Sequence, residues 1–415
     1  MEGSQHQTLT RRLAWTVLVP FGIGFFFSNY YRSMNAVLSP RLMSDLQLTA
    51  TNLGLLTSVY LFTTALFQLP LGLLMDRYGP RRVQAALMAL ASAGVLIFAI
   101  GRDLSVLMVG RAIMGIGAAG ALMTSFQAVM LWFPTQRWPL LNGLILSAGG
   151  LGALVATLPT ELVLHVTDWR HLMLGAAVAS LAAGALIFGV APERMVERAS
   201  GTLREQLRGV VRVYGNRLFL RIAPLYAMTV GGNIAFQGLW AGPWLKDVAH
   251  LSSSQVARSL LVVTVLQTIG YVLVGWLAGV LGKRGIGLLQ IIGTGTFLFI
   301  VTQAGLLLPT GQARWVVLLG MGLLANINLL SYPLLAQNLP SGLMGRANTA
   351  LNFFVFLGAF FLQYAVGALI DLFEPVAPTT YPPHAYQMAF AVIVALQAAS
   401  WIWFLMPGKR KPIEA

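Results

Sequence analysis

About twelve continuous apolar stretches of roughly 20 residues run from Trp15 to Met406, each long enough to cross about 30 Å of hydrocarbon as a helix. A β-barrel would show short alternating segments, whereas these runs are unbroken and rich in Leu, Ala and Gly. Backbone hydrogen bonds must then be satisfied within each segment, which means helices. The expected spans are 13–37, 50–74, 82–101, 104–132, 139–163, 170–191, 219–244, 254–280, 285–308, 314–338, 346–371 and 386–406. With 57% hydrophobic and only 10% charged residues, a water-soluble domain of 415 residues could not hide its apolar surface. The sequence reads as an all-α membrane protein.

The net charge of +14 raises the possibility of a nucleic-acid binder, but the charges sit in the breaks between runs. Alternating the runs across the bilayer puts Arg11, Arg12, Arg77, Arg81, Arg82, Arg137, the stretch Arg194 to Arg221, Lys283, Arg284, Arg346 and Lys409 to Lys411 on one side. Arg41, Arg102, Arg170, Lys246, Arg258 and Arg314 fall on the other. This asymmetry, roughly three to one, places both termini in the cytoplasm by the positive-inside rule. The basic excess thus reports orientation and contact with anionic lipid at the cytoplasmic face, and no nucleic acid is expected. The first run has no small-residue cleavage site behind it and reads as an uncleaved helix. There is no cysteine, which excludes disulfides and thiolate chemistry. No Ser-His-Asp pattern, metal-ligand cluster or phosphate loop appears, so no enzyme, cofactor or metal site is expected.

Most connections are short; residues 192–218 are the exception, separating an N-terminal bundle (1–191) from a C-terminal one (219–415). In that linker Leu203, Leu207, Val210 and Val211 share one helical face and Arg204, Arg208 and Arg212 another, the pattern of an interfacial helix. A solvated basic linker is the alternative. The two bundles read as repeats in register: Thr49 and Ser252, Gly72 and Gly275, Gly79 and Gly282, and Arg81 and Arg284 all lie 203 residues apart. Asp45 and Asp247 lie 202 apart. Parallel repeats of this kind point to a solute site near the bilayer midplane between the halves.

The strongest local motif is Gly72-Leu-Leu-Met-Asp76-Arg77-Tyr-Gly79-Pro-Arg81-Arg82. Gly79 permits the tight turn, Asp76 can face a helix N-terminus, and the arginines can meet carboxylates or lipid headgroups. This stretch resembles the cytoplasmic signature G-x-x-x-D-R-x-G-R-R of the major facilitator superfamily, and the resemblance covers essentially the whole chain. It implies two six-helix bundles related by a pseudo-two-fold axis, transport by alternating access, and a gating latch at Gly72, Asp76, Arg77, Gly79, Arg81 and Arg82. The second copy has Gly279 in place of the aspartate, which implies a weaker latch. Arg111 followed by Gly115 and Gly117 is similar to the family's R-x-x-x-G-x-G on helix four. Helix one, with Asn29-Tyr30-Tyr31-Arg32, resembles the organic-anion branch of sialin and the bacterial sugar-acid symporters. Tyr31 replaces that branch's aspartate, and Ala118 its helix-four glutamate.

Arg32 and Arg111 are therefore candidates for holding an anionic group, snorkelling of Arg32 to the interface and a structural role for Arg111 being the alternatives. Asn29 and Tyr60 are placed with them. On helix seven Asn233, Gln237, Trp240 and Trp244 share a face, as do Asn328 with Tyr332 and Asn348 with Asn352 and Gln363. Such groups bind solute or join helices. Among the acids only Glu161 and Asp371 are placed to carry protons within the membrane. The expected function is transport of a small organic anion or zwitterion by a monomer in a bacterial plasma membrane. The alternatives are efflux of hydrophobic drugs, a dipeptide or amino-acid uniporter, and a non-transporting receptor.

Overall fold

The computed structural model describes residues 14–134, 137–193, 212–308, 313–339, 344–377 and 380–406. The expected interfacial helix of the linker lies outside the described residues. Helix α1 (14–46) opens with a π-helical turn, Ala14–Leu18, and continues as Val19–Ser33 and Asn35–Leu46. Helices α2 (50–78) and α3 (80–100) form one run, Ala50–Ile100, broken at Gly79. They are followed by α4 (Leu104–Trp132), α5 (Leu141–Leu164), α6 (Trp169–Val190), α7 (Arg217–Asp247), α8 (Ser253–Lys283), α9 (Leu288–Leu307), α10 (Trp315–Leu335), α11 (Met344–Ile370) and α12 (Pro383–Leu405).

Eleven of these are long and apolar enough to cross a membrane, and α1 is the twelfth span of the fold. Its two pieces are short and carry the buried polar residues Asn29, Asn35 and Ser39. The sequence placed its end at residue 37, but the helix runs to Leu46 and stops where Gln47 turns left-handed, with φ of 50°. Among the described residues there is no strand, only an isolated bridge between Ala377 and Thr380.

The helix ends are set by short polar side chains that satisfy orphan amides. Thr49 accepts from the Asn52 amide, Asp103 from Val106 and Asp168 from His171. Ser252 and Gln255 close the capping box at α8. Close packing of helices rests on small residues. A Cβ on Gly94 of α3 would stand 2.8 Å from the Gly110 carbonyl of α4, and one on Gly231 of α7 would stand 2.8 Å from the Ala359 amide of α11.

The repeat shows in the contacts of Asp45 and Asp247. Asp45, ending α1, accepts from the Trp169 indole at the start of α6 (2.7 Å). Asp247, ending α7, accepts from the Tyr386 hydroxyl at the start of α12 (2.6 Å) and from the Tyr381 amide (3.2 Å). In each half one carboxylate ties the first helix to the sixth. The turns of the two motif copies differ. Gly79 has φ of 76°, but in the second copy the left-handed residue is Gly285 (φ 81°), not Gly282. Gly282 lies in the last turn of α8, and the chain leaves through a Schellman closure in which the Ile286 amide bonds to the Leu281 carbonyl (3.1 Å).

Candidate solute-binding site

Among the described residues, the close contacts between the two halves cluster toward one face of the membrane. At the far face, opposite the ends of the described chain, a Cβ on Gly242 of α7 would strike the Ala36 carbonyl of α1. A Cβ on Gly54 of α2 would stand 3.0 Å from the Gln363 carbonyl of α11. Gln363 Nε2 donates to Thr57 Oγ1 (2.5 Å), Phe62 packs on Phe360 with centroids 4.9 Å apart, and His165 Nε2 lies 3.3 Å from Ser254 Oγ. Toward the near face the helices part: added Cβ atoms on Gly72, Gly275 and Gly279 would meet nothing within 4 Å. The seam between the halves is tight toward the far face, while these near-face glycines stand in open space.

Arg32 of α1 and Arg111 of α4 are cations within the spans, and the fold treats them differently. Arg111 is fully buried on α4. Its guanidinium donates to the Tyr31 carbonyl (3.3 Å) and to Asn35 Oδ1, and lies 4.6 Å from the Phe98 ring centroid. Those groups flank the break in α1 at Met34, so Arg111 holds together an interrupted helix. Arg32, two residues before the break, is half-buried and donates to the neutral Asn29 Oδ1 (2.5 Å). No acid pairs with it among the described residues. It is the guanidinium left open to a ligand.

Around Arg32 stand several of the sequence candidates. Asn29 also donates to the Phe25 carbonyl (3.1 Å), and buried Tyr60 donates to the Ser28 carbonyl (3.1 Å). Gln237 lies in a π-helical turn of α7, Phe236–Trp240, beside Gly238, whose added Cβ would stand 3.5 Å from the Arg32 carbonyl. Its Nε2 is buried without a hydrogen-bond partner among the described residues. A buried amide donor without a partner is costly, and a ligand oxygen would satisfy it.

Other candidates are used by the scaffold. Trp240 donates to the Gln363 carbonyl (3.0 Å) and belongs to the far-face seam. Asn328 links Thr296 (3.0 Å) and Thr229 (2.9 Å) inside the second half. Tyr332 donates to Asn352 Oδ1 (2.5 Å) and packs edge-on to Tyr226 at 5.6 Å. The sequence reading missed Tyr271 on α8, which is 47% exposed. Its signal was there: Thr264, Thr268, Tyr271 and Gly275 repeat at i, i+4, i+7 and i+11 along one helical face.

Both membrane acids lie at the far-face ends of their helices. Glu161, 1% exposed, holds Arg41 through two bonds of 2.8 and 3.1 Å, with His165 at 3.7 Å. Asp371 accepts from the Ala50 amide (3.0 Å), the Thr51 amide (2.7 Å) and the Tyr381 hydroxyl (2.5 Å). Burial pushes its carboxyl up, but the bonds from Thr51 and Tyr381 outweigh that and hold it below the usual carboxylate range. Burial and the Asp371 contact push the Tyr381 hydroxyl up to about 12.

Of the motif residues, Gly72 faces open space and Gly79 makes the turn. Arg77 lies over the ring of Tyr78 at 5.2 Å. Arg81 bonds to the Phe188 carbonyl (2.9 Å) and reaches Glu193 at 3.6 Å, and Arg82 pairs with Glu193 at 2.6 Å. These contacts stay within the first half. The Asp76 side chain lies outside the described residues. An apolar crevice of about 450 Å³ between α1, α5 and α6, lined by Phe26, Tyr30, Pro159 and His171, touches none of the candidates.

Similarity to known proteins agrees with this architecture. The chain is 30% identical over 148 residues to the uncharacterized transporter YybO of Bacillus subtilis, a match covering 35% of this chain and 34% of YybO. It is 22% identical over 274 residues to the probable sulfoacetate transporter SauU of Cupriavidus necator, covering 62% and 63%. The chain thus spans less than two thirds of either relative. The inward-facing, occupied structure of a bacterial homolog of the human lysosomal transporter Spinster superposes with a TM-score of 0.74 at 15% identity, covering 94% of this chain and 96% of that one. A sequence profile of the Major Facilitator Superfamily matches residues 21–363, and the chain belongs to that family of multi-pass membrane proteins.

Proposed function

We propose that the protein carries a small organic anion or zwitterion between the two faces of a bacterial plasma membrane by alternating access, with both termini in the cytoplasm. The observation that carries this reading is Arg32. It is a half-buried guanidinium within the spans, bonded to a neutral amide and without an acid partner among the described residues, next to the α7 turn that carries the Gln237 amide. A planar fork of this kind matches a carboxylate or sulfonate through paired charge-assisted hydrogen bonds. The sulfoacetate named for SauU is an anion of that chemistry. The near face is then the cytoplasmic one.

Both acids are engaged at the far face, Glu161 with Arg41 and Asp371 with the start of α2. This favours exchange or facilitated movement over tight proton symport. Uptake into proteoliposomes of a panel of radiolabelled carboxylates, sulfonates, neutral amino acids and cations, with and without a pH gradient, tests the reading. Saturable uptake of anions or zwitterions without dependence on the gradient is expected. Uptake restricted to cations or neutral hydrophobic compounds would contradict it.

A further inference from the structure

Helix α8 crosses the membrane with three distinct faces. Val265, Ile269 and Trp276 are exposed on the lipid side, whereas an added Cβ on Gly270 would stand 2.7 Å from the Leu323 carbonyl of α10. The third face is the polar stripe Thr264, Thr268 and Tyr271. It looks toward the first half, since a Cβ on Gly150 of α5 would stand 3.6 Å from Thr268 Oγ1. Tyr271 is one helical turn below Thr268, beneath the far-face seam. Its ring is 47% exposed, and its hydroxyl makes no hydrogen bond with any described residue. The neighbouring Gly149 of α5 brings this stripe near Arg32, since an added Cβ there would stand 2.7 Å from Nδ2 of Asn29, the residue that accepts from the Arg32 guanidinium. Tyr271 is thus an exposed aromatic side chain of the second half, on a helix face turned toward the Arg32 site of the first.

We propose that Tyr271 is a specificity-determining residue that holds the planar, apolar body of a solute whose anionic group is bound by Arg32, so that the preferred solute is an aromatic monocarboxylate. The inference rests on the Arg32 reading above and adds the class of solute. Arg32, a cation without an acid partner among the described residues, matches a single negative charge. An exposed phenol ring favours a flat π-system over a saturated body of equal size, because ring edges and faces carry opposite partial charges. A solute held by Arg32 at one end and Tyr271 at the other also bridges the two halves, as alternating access requires.

The test is binding of benzoate, cyclohexanecarboxylate and acetate to the purified full chain, with Tyr271→Ala, Tyr271→Phe and Arg32→Ala beside the wild type and thermal unfolding as a folding control. The wild type should prefer benzoate. Tyr271→Ala should weaken benzoate roughly tenfold, remove its advantage over cyclohexanecarboxylate and leave acetate unchanged, while Tyr271→Phe keeps the advantage. Arg32→Ala should lose all three. If the wild type binds other anions but shows no preference for benzoate, or if Tyr271→Ala keeps the preference, the role of Tyr271 is overturned while the Arg32 reading stands. If Arg32→Ala binds all three as the wild type does, the anion reading itself falls.

Discussion

The Asp371 carboxylate, just past the end of α11, accepts a 2.7 Å hydrogen bond from the backbone amide of Thr51 in the first turn of α2. One half of the molecule thereby caps a helix of the other, with negative charge at the positive end of a helix dipole. Under the proposed alternating access, this clasp must be released each time the far face opens. The sequence assigned such a charge-to-helix contact to Asp76 at the near face. The structure shows one at the opposite face, made by a residue the sequence offered as a proton carrier.

Asp371→Asn keeps an acceptor oxygen and loses the charge, weakening a contact of about 0.3–2 kcal/mol. The population open at the far face should rise up to roughly thirtyfold. Labelling of Thr268→Cys by a membrane-impermeant thiol reagent added at the far face reads this, in a chain without native cysteine. Labelling no faster than in the Asp371 parent would remove the clasp.

The same residue fixes a pH dependence. Its carboxyl lies below the usual range when the clasp is closed and returns toward that range when it opens. The depressed group stabilises the closed state fully above the ordinary carboxylate pKa, and that stability is lost as pH falls through the depressed value. From about pH 5 to pH 8 the rate of Thr268→Cys labelling should therefore show no titration that depends on Asp371. A midpoint inside that window, abolished by Asp371→Asn, would instead make Asp371 a proton carrier.

Gly242→Val places side-chain atoms against the Ala36 carbonyl, a contact between halves and not within one. Overpacking of about 1–3 kcal/mol should fall on the closed far face and leave each bundle intact. Thermal stability should hold, uptake should collapse, and Thr268→Cys labelling should rise. Unimpaired uptake would show that the far face never closes as tightly as the Gly242 contact implies.

How much of this was legible in the sequence depends on how local each feature is. Hydropathy marks the spans because each helix satisfies its own backbone, and the 203-residue register brought out the repeat before any contact was known. The second piece of α1 was missed because Asn35–Leu46 is too polar to resemble a lipid-facing helix. Its apolar residues Val37, Leu38, Leu42 and Met43 are buried in the protein core. Gly282 was matched to Gly79 by register, but the chain turns at Gly285, where the Schellman closure needs a left-handed residue. The clasp joins residues 320 positions apart, and no local pattern announces it. Tyr271 was findable by the helical-face test that picked out Gln237.

Arg111→Ala should act on the fold and not on solute choice. It leaves the Tyr31 carbonyl and Asn35 Oδ1 buried without their donor, a loss of about 1–3 kcal/mol for each unsatisfied group. The melting temperature in detergent should drop, while the relative affinities of surviving protein for different anions stay as in the wild type. A changed anion preference at unchanged stability would move Arg111 into the binding site.

The central claim, that Arg32 holds the anionic group of the solute, is tested most directly by the affinity of purified Arg32→Lys and Arg32→Ala for each transported anion. Lysine keeps the charge but not the planar fork, so Arg32→Lys should retain weak binding and Arg32→Ala should lose it, with both variants unfolding at the wild-type temperature. Wild-type affinity of Arg32→Ala for every transported anion would contradict the account.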